Sequence, residues 1–543
     1  MTFREVAENR TKKAEKERKE NGGSPPPFEI DTLYYRMDGD GYFGGQRFKI
    51  YVVDVESGEH RMLYDKGKLD FYSFDWLPNS SGLVVSHTVH RKEPLLRKPN
   101  DQLFVVPLNG KAKMVPGLAK GPKYCVKVSP DGKRVAYLGD HVAEEVWGMR
   151  NTRLYVSPMR GGEQKCLSEK SDYCLQAMTL SDTGVGGDGV VEWSPDGRKI
   201  TVTVGTEGTE QVGVVSVARG GVKLVTEGEH VLGLGNHSAD GKMMALTRGT
   251  TTSPAEVAVF DGHDVEVLTS FNKDALKGVE ISKPTSHWVT SEDGTQVHAW
   301  CMKPARFKRG RRYPAVLEVH GGPHAQYGWA FFHEFQLLAA QGYVVVYSNP
   351  RGSKGYGEKF CEAIRRDWGN KDWADVKAVK EWMERQWFIR PKKMGVMGGS
   401  YGGFMTNWAI GHTRDFVGAI TDRCVFNWVS MAGNSDFPLN RDDYFGGCAW
   451  GPLSNLEDLW RQSPAAYFDK VKTPTLVIHS EGDLRCNVEQ GEQVFYVLKS
   501  RGIETRFVRY PRNSSHGLSR NGPPDLRMHR LGEIVAWWKR WLK

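Results

Sequence analysis

The sequence of 543 residues lacks several features that are typical of membrane proteins, secreted proteins and metal-binding proteins. No apolar run approaches the roughly 18 residues that a membrane span needs. The first residues, Met1 to Glu5, have no apolar core like that of a secretory signal. The eight cysteines include no C-x-x-C pair, so neither a zinc site nor a redox motif is indicated. We therefore expect a cytoplasmic protein with reduced thiols, no metal and no membrane partner.

The charge pattern and the absence of two further motifs exclude other classes of partner. The net charge is +9, much of it in the tail lysines and in residues 303–312, and no interleaved aromatic stripe accompanies it. This favours a solvated face over a nucleic-acid site. The pair His333-Glu334 lacks the second histidine of H-E-x-x-H, and no Walker-type G-K-[ST] is present. We expect no nucleic-acid partner and no cofactor.

The length and a change of rhythm near residue 280 predict two folded parts. A chain of 543 residues is too long for one hydrophobic core. Residues 1–27 are charged and end in Gly-Gly-Ser-Pro-Pro-Pro, which indicates a helix-prone or disordered tail and a stiff linker. We assign residues 28–280 to a first domain and residues 281–543 to a second.

Two interleaved repeats run through the first domain. Near-copies of a Ser-Pro-Asp-Gly turn begin at Ser129, Ser194 and Ser238, and proline and glycine suit the angles of a hairpin turn. A second repeat consists of strands that are each followed by a glycine turn: Ile50–Asp54, Leu103–Pro107, Leu154–Pro158, Val212–Ser216 and Val257–Phe260. The spacing of roughly 45 to 65 residues suits four-stranded blades. We expect a β-propeller of about five blade-like repeats, with a β-sandwich as the alternative.

The second domain alternates short apolar strands with amphipathic helices. This rhythm predicts a doubly wound, mostly parallel sheet. The expected strands are Ala315–Val319, Val344–Tyr347, Met394–Met397, Gly418–Thr421, Thr475–His479 and Arg506–Tyr510. The expected helices include Phe331–Gln341, Trp373–Glu384, Val488–Arg501 and Leu526–Leu542.

A lone serine, Ser400, stands between glycines where one of these strands is expected to meet a helix. The segment Gly398-Gly399-Ser400-Tyr401-Gly402 has the G-x-S-x-G form of a nucleophile elbow, which exposes the serine hydroxyl above the sheet. The five-residue pattern is weak evidence in a chain with 61 glycines, where a structural glycine loop is the alternative. A serine nucleophile also needs a base, an acid that orients the base, and an oxyanion hole.

His516 is the strongest candidate for the base. The histidines after Ser400 are His412, His479, His516 and His529. Of these, His516 alone lies in a polar loop after an expected strand, at the sheet edge where catalytic residues of α/β proteins gather. The other three lie in expected helices or end a strand, which favours structural roles.

The acid and the oxyanion hole have candidates on two further loops. Asp483 and Glu481 both follow the strand that precedes His516, and the glycine before Asp483 favours Asp483 because it allows a tight turn. One oxyanion N–H should come from Tyr401, directly after the nucleophile. The other should come from the glycine loop His320–Pro323, at Gly322.

Taken together, these motifs resemble the prolyl oligopeptidase family, and its acylaminoacyl-peptidase branch most closely. The matching segments are His320–Pro323, Asn349–Gly357, Gly398–Trp408, His479–Cys486 and Ser515–Leu518. The resemblance implies a β-propeller that caps an α/β-hydrolase domain, with peptide cleavage between them. It also carries the family's roles onto this chain: Ser400, Asp483 and His516 match the triad, Tyr401 and Gly322 the oxyanion donors, Arg485 a contact to a substrate carbonyl, and Val425 and Trp428 the walls of a side-chain pocket.

The resemblance implies a serine peptidase that acts on short peptides, including N-acylated ones, through an acyl-enzyme. For Trp428, ordinary core packing is the alternative. Family propellers usually have more than five blades, so we expect a shortened or incomplete propeller that relaxes selection by substrate size. Alternatives for the function are an esterase or carboxypeptidase with the same triad, and a catalytically silent propeller scaffold. Self-association into a homo-oligomer stays open.

Overall fold

Short antiparallel sheets make up the first half of the chain. The computed structural model describes residues 1–90, 92–93, 99–141, 148–176, 178–184, 189–437 and 444–543. Within these ranges one sheet of three strands is followed by four units of four strands, of which the last two are joined by a single parallel bridge between Glu210 and Val231. In chain order the strands are Thr2–Arg4, Phe48–Val53 and His60–Tyr64; Ser73–Trp76, Gly82–Thr88, Asp101–Pro107 and Lys113–Met114; Lys123–Val128, Arg134–Gly139, Arg153–Pro158 and Lys165–Cys166; Val191–Trp193, Lys199–Thr206, Thr209–Ser216 and Gly220–Leu224; Val231–His237, Met244–Thr250, Ser253–Phe260 and Val265–Val267.

The three Ser-Pro-Asp-Gly-like turns have the same structure, as the repeat predicts. In the first, Ser129 Oγ accepts the Arg134 N–H at 2.9 Å, and Asp131 Oδ1 accepts the Lys133 N–H at 3.0 Å. Gly132 has a φ of 67°, which is costly for a residue with a Cβ. The turns at Ser194 and Ser238 repeat both side-chain hydrogen bonds.

The N-terminal residues agree only in part with the helix-prone or disordered tail that the sequence predicts. The helix Lys12–Glu20 agrees with the helix-prone reading, but Thr2–Arg4 is an edge strand that pairs with the first sheet. Arg4 links this short strand to the residues around it, because its guanidinium forms ion pairs with Asp40 and Asp70. Three residues are too few to show a strand period, so the sequence could not reveal this pairing.

A short hairpin lies between the first two strands of that sheet. It pairs Arg36–Met37 with Gly41–Tyr42 in an antiparallel ladder. We call it the 36–42 hairpin.

An eight-stranded sheet forms the second half of the chain and confirms the predicted α/β alternation. Its first two pairings are antiparallel and the other five are parallel. In spatial order its strands are Pro284–Thr290, Gln296–Met302, Val344–Asn349, Tyr313–Val319, Ile389–Gly399, Gly418–Asp422, Thr475–Ser480 and Thr505–Tyr510. The carboxyl ends of the parallel strands therefore meet along one edge, where loops from several strands can combine into a site.

Helices cover both faces of this sheet. Alternate residues of its strands point to opposite faces, so each face carries apolar side chains that a layer of helices can bury. Leu317 and Val396 pack into one apolar cluster, whereas their neighbours Val316 and Met397 pack into another on the opposite face. The α-helices of the described residues are Lys12–Glu20, His333–Ala340, Glu358–Glu362, Lys371–Glu384, Tyr401–His412, Trp428–Asn434, Leu453–Arg461, Val488–Ser500, Leu518–Asn521 and Pro524–Trp541, with 3₁₀ turns at Glu8–Arg10 and Pro464–Lys470. None of them combines the length and the apolar character needed to cross a bilayer.

Candidate active site

Ser400 occupies a sharp, strained turn between a strand and a helix. It follows the strand Ile389–Gly399, precedes the helix Tyr401–His412, and has φ 63° and ψ −122°. A non-glycine residue with positive φ is strained, and such strain persists only where the surrounding fold imposes it. Gly402 lets the helix lie against the neighbouring strand, since a Cβ there would stand 2.0 Å from the carbonyl oxygen of Val319. The local geometry is that of a nucleophile elbow.

His516 and Asp483 form a short hydrogen-bonded pair beside this turn. The Nδ1–H of His516 donates to Asp483 Oδ2 at 2.7 Å. The other carboxylate oxygen accepts the backbone N–H groups of Arg485 at 3.0 Å and Cys486 at 2.8 Å. The Asp483 side chain is fully buried, so these contacts hold it in one orientation. The pair thereby fixes the tautomer that leaves Nε2 of His516 able to accept a proton.

The three other histidines and the other acid lie elsewhere. His412 stacks on Trp408, and His529 hydrogen-bonds to the Tyr510 hydroxyl. His479 lies beneath the acid, with its Nε2 2.6 Å from the carbonyl oxygen of Cys486 and 3.4 Å from Asp483 Oδ2. Glu481 pairs with the exposed Arg509. Of the candidates that the sequence left open, the structure brings His516 and Asp483 together.

The protonation states of this pair follow from burial and mutual charge. Burial lowers the pKa of His516 below its ordinary value, and the Asp483 carboxylate opposes that shift without cancelling it. Burial alone would raise the pKa of Asp483, but the His516 and His479 rings hold it well below the usual range. At neutral pH the site therefore holds a carboxylate and a neutral imidazole, which is the state that a general base requires.

Ser400 and His516 line the same cavity, which has a volume of about 640 Å³. Among the described residues, no hydrogen bond engages the Ser400 hydroxyl. Catalytic hydrogen bonds are commonly long in unliganded sites and tighten when substrate binds. Part of the cavity wall comes from the first half of the chain, through the segment 178–184.

The glycine loop His320–Pro323 faces Ser400. A Cβ on Gly321 would lie 3.3 Å from the Cβ of Ser400, and Gly322 lines the cavity. The His320 ring braces this loop, because its Nδ1 donates to the Gly321 carbonyl at 2.8 Å and its Nε2 lies 2.8 Å from Ser353 Oγ. The N–H of Tyr401 belongs to the first turn of its helix, where N–H groups have no acceptor within the helix. Both proposed oxyanion donors thus border the cavity beside Ser400.

The residues expected to bind substrate also line the cavity. Arg485 is held by Asp436, with Nε 2.6 Å from Oδ1, and lies over the Phe437 ring. Val425 and Trp428 are buried residues that line the cavity. Trp428 packs edge-on against Trp368 at 5.0 Å, so it is both a cavity wall and a core residue, and the two readings of the sequence do not exclude each other.

The sequence did not indicate Asp38, which lies at the tip of the 36–42 hairpin. Its Oδ1 accepts the backbone N–H of Leu484 and the backbone N–H of His516, each at 3.0 Å. Its own N–H donates to Asp436 Oδ2 at 2.7 Å. One carboxylate therefore ties together the loops that carry the acid and the base. No sequence signal could have found it, because its partners lie 446 and 478 residues away.

Arg423 and Arg520 are two further cavity residues that the sequence reading missed. Both line the cavity together with Arg485, whereas no Asp or Glu is found among its described lining residues. Arg423 directly follows the strand Gly418–Asp422, and Arg520 lies four residues after His516. Their positions behind strand ends could have indicated them. As for metals, the described residues contain no group of three or more His, Cys, Asp or Glu side chains that could hold an ion.

Known proteins are similar to this chain in sequence and in fold. The model of the prolyl oligopeptidase family matches residues 329–543. YuxL, an uncharacterised peptidase of Bacillus subtilis, is 35% identical over 519 residues, which are 95% of this chain and 78% of YuxL. Dipeptidyl-peptidase 5 of Porphyromonas gingivalis is 24% identical over 498 residues, with 90% of this chain and 70% of that protein covered. The acylaminoacyl peptidase of Pyrococcus horikoshii matches with a TM-score of 0.81 and 25% identity, over 100% of this chain and 79% of that one.

A further solved structure contains a bound inhibitor. It is an acylaminoacyl peptidase in complex with Z-Gly-Gly-Phe-chloromethyl ketone, with a TM-score of 0.80 and 27% identity, over 96% of this chain and 78% of that one. The fold and these similarities define a serine hydrolase of the α/β-hydrolase class. The chain belongs to the prolyl oligopeptidase family, and it is a serine peptidase.

Proposed function

We propose that the peptidase cleaves its substrates with Ser400 as the nucleophile, His516 as the base and Asp483 as the acid that orients the base. The observation that carries this proposal is the 2.7 Å hydrogen bond between His516 Nδ1 and Asp483 Oδ2, beside the strained turn at Ser400. His516 takes the proton of the Ser400 hydroxyl as its oxygen attacks the scissile carbonyl. It then passes that proton to the leaving amine. In the second half-reaction His516 takes a proton from water as the water attacks the acyl-enzyme, and it returns that proton to Ser400 as the acid product leaves.

The N–H groups of Tyr401 and Gly322 stabilise the oxyanion that forms in each half-reaction. Such donors are preorganised, so they strengthen as negative charge develops on the carbonyl oxygen. Losing one donor of this kind typically costs about 3 kcal/mol of barrier stabilisation. This scheme uses no metal or cofactor, because the base and the oxyanion donors together supply the proton transfer and the charge stabilisation.

The substrates that we propose are short peptides with a blocked amino terminus, as in the acylaminoacyl peptidases that the chain resembles. A free α-ammonium near the scissile bond would need a carboxylate to bind it. The described lining residues of the cavity offer three arginines and no carboxylate. A neutral acyl group with a carbonyl suits this wall better, and Arg485 is placed to donate to that carbonyl. In this scheme Val425 and Trp428 line the pocket for the side chain before the cleaved bond.

Removal of free dipeptides is the second candidate, and the relative from P. gingivalis favours it, since that protein is named a dipeptidyl-peptidase. The rates for an N-acetylated dipeptide amide and for the same peptide with a free amine separate the two. We expect a higher kcat/KM for the acetylated peptide. A higher value for the free amine would favour dipeptidyl-peptidase activity instead.

We further propose that the five antiparallel units before residue 280 are the blades of a short propeller. Residues 28–280 would then be the propeller domain, residues 281–543 the catalytic domain, and residues 1–27 an N-terminal extension whose first strand completes the first blade. The repeated turns and the order of the strands support this arrangement. Substrate would enter between the two domains. A cytoplasmic site of action remains our expectation.

Labelling with a fluorophosphonate probe tests the assignment of the nucleophile. We expect the wild-type protein to be labelled at Ser400 and Ser400→Ala to remain unlabelled. Ser500→Ala is a matched control, since Ser500 is exposed at the end of the helix Val488–Ser500 and is not a cavity residue. Labelling of the Ser400→Ala protein would overturn the assignment. A wild-type protein that reacts with neither the probe nor activated esters would instead support the silent scaffold.

A further inference from the structure

One arginine that lines the same cavity as His516 has no ion-pair partner among the described residues. Arg520 belongs to the short helix Leu518–Asn521, and its side chain opens onto the cavity. Among the described residues, no hydrogen bond or ion pair engages its guanidinium group. Arg520 as a whole residue is exposed, and partial desolvation of its guanidinium at the cavity, together with the nearby charge of Arg423, lowers its pKa to about 10, so it stays protonated at neutral pH.

A second arginine, Arg423, contributes to the same charge. Its Nη1 donates to Asp422 Oδ2 at 2.8 Å, but its buried Nε has no partner among the described residues. The guanidinium lies against Gly399, the residue before the serine, since a Cβ on Gly399 would stand 2.6 Å from Arg423 Cζ. Asp422 is shared, because it also accepts from Arg530 Nε at 2.9 Å. This carboxylate therefore pairs with two arginines, and none of the ion pairs of the described residues includes Arg520.

Two like charges that line the same cavity repel each other. Their cost falls when an anion binds between them, and a planar carboxylate suits the fork of a guanidinium group. The cavity is therefore suited to a ligand that carries a carboxylate near Arg423 and Arg520.

The position of this charge relative to His516 indicates which end of the substrate it meets. The His516 ring must protonate the leaving amine, so the leaving group lies on the His516 side of Ser400. Arg520 lies four residues after His516, on the loop and helix that continue from it. The acyl side has its own wall, formed by Val425 and Trp428.

We propose that Arg423 and Arg520 form a subsite for a carboxylate on the leaving-group side of the scissile bond. The carboxylate can come from the C-terminus of a leaving amino acid or from an acidic side chain on it, and the subsite most directly suits the free C-terminus of a short peptide. The proposal rests on the catalytic roles given above. It makes the preferred substrate a short peptide that is neutral at its amino end and anionic directly after the cleaved bond.

Three peptides with one acyl part test the proposal. They are N-acetyl-Phe-Ala with a free C-terminal carboxylate, the same peptide as its C-terminal amide, and N-acetyl-Phe-Asp amide. We expect a kcat/KM for the free acid that is about tenfold or more above that for the amide, because hydrogen bonds to charged groups are the strong ones. A gain for the aspartate peptide alone would assign the subsite to a side-chain carboxylate. Equal values for all three peptides would overturn the proposal.

Variants of Arg520 test whether the preference for the free acid over the amide depends on this side chain. We expect Arg520→Gln to bring the ratio of acid to amide close to one, and Arg520→Lys to give an intermediate ratio because it keeps the charge without the fork. Arg390→Gln removes an exposed arginine outside the cavity and should keep the wild-type ratio. A wild-type ratio in Arg520→Gln would overturn the proposal.

The fluorophosphonate probe separates this proposal from the catalytic one. Labelling of the wild-type protein at Ser400 without a preference for the free acid over the amide would support the catalytic assignment and overturn the subsite. A wild-type protein that is neither labelled nor active on any of the three peptides would overturn both the catalytic assignment and the subsite. Labelling of Arg520→Gln at the wild-type extent shows that the variant is folded, so that its ratio can be interpreted.

Discussion

Two carboxylates, the buried Asp483 and the half-buried Asp38, hold the proposed base in place by different contacts. Asp483 accepts the ring N–H of His516 at 2.7 Å, whereas Asp38 accepts its backbone N–H at 3.0 Å. Asp38 also accepts the N–H of Leu484, so it sets the distance between the two catalytic loops. A base that is misplaced by about 1 Å can cost 10²-fold in rate. We therefore expect the position of His516 to depend on a residue that never touches the substrate.

Replacement of Asp38 tests this dependence. We expect Asp38→Ala to lower kcat on an activated ester by about 10- to 100-fold with little change in KM, because the loops lose their shared acceptor. Asp38→Asn keeps an oxygen that can accept both N–H groups and should restore most of kcat. Stopped assays on both variants, with thermal melts to compare their folding, provide the measurement. Equal losses in the two variants would exclude a role through these hydrogen bonds.

We expect the pH dependence of the reaction to report on His516, the proposed base. Burial lowers its pKa from the ordinary value of 6.5, and the base must be neutral to accept the serine proton. We expect kcat/KM for a neutral ester to fall only below pH 6.5, as pH drops through the pKa of the free enzyme. The negative charge of Asp38 raises the pKa of His516, so Asp38→Asn should move this acid limb to still lower pH. An acid limb above pH 6.5 would contradict the prediction.

At the scale of the elements, the turn at Ser400 depends on close packing between one helix and one strand. The helix Tyr401–His412 lies so near the strand Tyr313–Val319 that a Cβ on Gly402 would meet the Val319 carbonyl oxygen at 2.0 Å. All but the last residue of this helix is buried. Nothing around it can move aside cheaply, because protein cores are close-packed. The strain at Ser400 is thus maintained by the sheet and not by the turn alone.

Gly402→Ala should therefore destabilise the protein and disturb the nucleophile. We expect a loss of about 1–3 kcal/mol from overpacking, seen as a lower Tm, together with slower fluorophosphonate labelling. Gly532→Ala is the matched control, since Gly532 is exposed in the helix Pro524–Trp541 and a Cβ there meets nothing within 4 Å. That control should be neutral or stabilising by up to about 1 kcal/mol. Equal Tm values for the two variants would contradict the argument.

At the scale of the whole molecule, the two halves of the chain are joined by specific polar contacts. Asp182, from the first half, accepts the N–H groups of His333 and Glu334 at 2.7 and 2.9 Å and so caps the helix His333–Ala340 of the second half. Trp329 donates its N–H to the Gly208 carbonyl across the same boundary at 2.8 Å. These contacts lie close to the segment 178–184 that borders the cavity. The shape of the cavity therefore depends on how the halves are held.

Loss of the Asp182 cap should weaken this connection. We expect Asp182→Ala to lower the Tm, because removing a helix cap costs about 1–2 kcal/mol. KM for a peptide should rise more than KM for a small ester, since the peptide fills more of the cavity. Asp274→Ala removes an exposed carboxylate and should leave the Tm unchanged. An unchanged Tm in Asp182→Ala would show that the cap is dispensable.

The sequence by itself determined the local features, because they depend on residues that are near neighbours. The alternation of apolar strands and helices predicted the parallel sheet, and the repeated Ser-Pro-Asp-Gly turns predicted the antiparallel strands. The glycines around Ser400 indicated a sharp turn, and the loops after two strands supplied His516 and Asp483 as candidates. Chain order and strand ends were sufficient here because the parallel strands direct their carboxyl ends to one edge.

The tertiary structure alone decided what lies across the chain from these motifs. It placed Asp483, which the sequence already favoured over Glu481, within hydrogen-bond distance of His516, and it brought Asp38 to the backbone of His516 over a separation of 478 residues. It also left Arg520 without a counter-ion among the described residues. Such contacts join residues that share no local pattern, since only the packing of the two halves brings them within hydrogen-bond distance. The catalytic motif could thus be inferred from neighbours in sequence, whereas its bracing and its charge depend on neighbours in space.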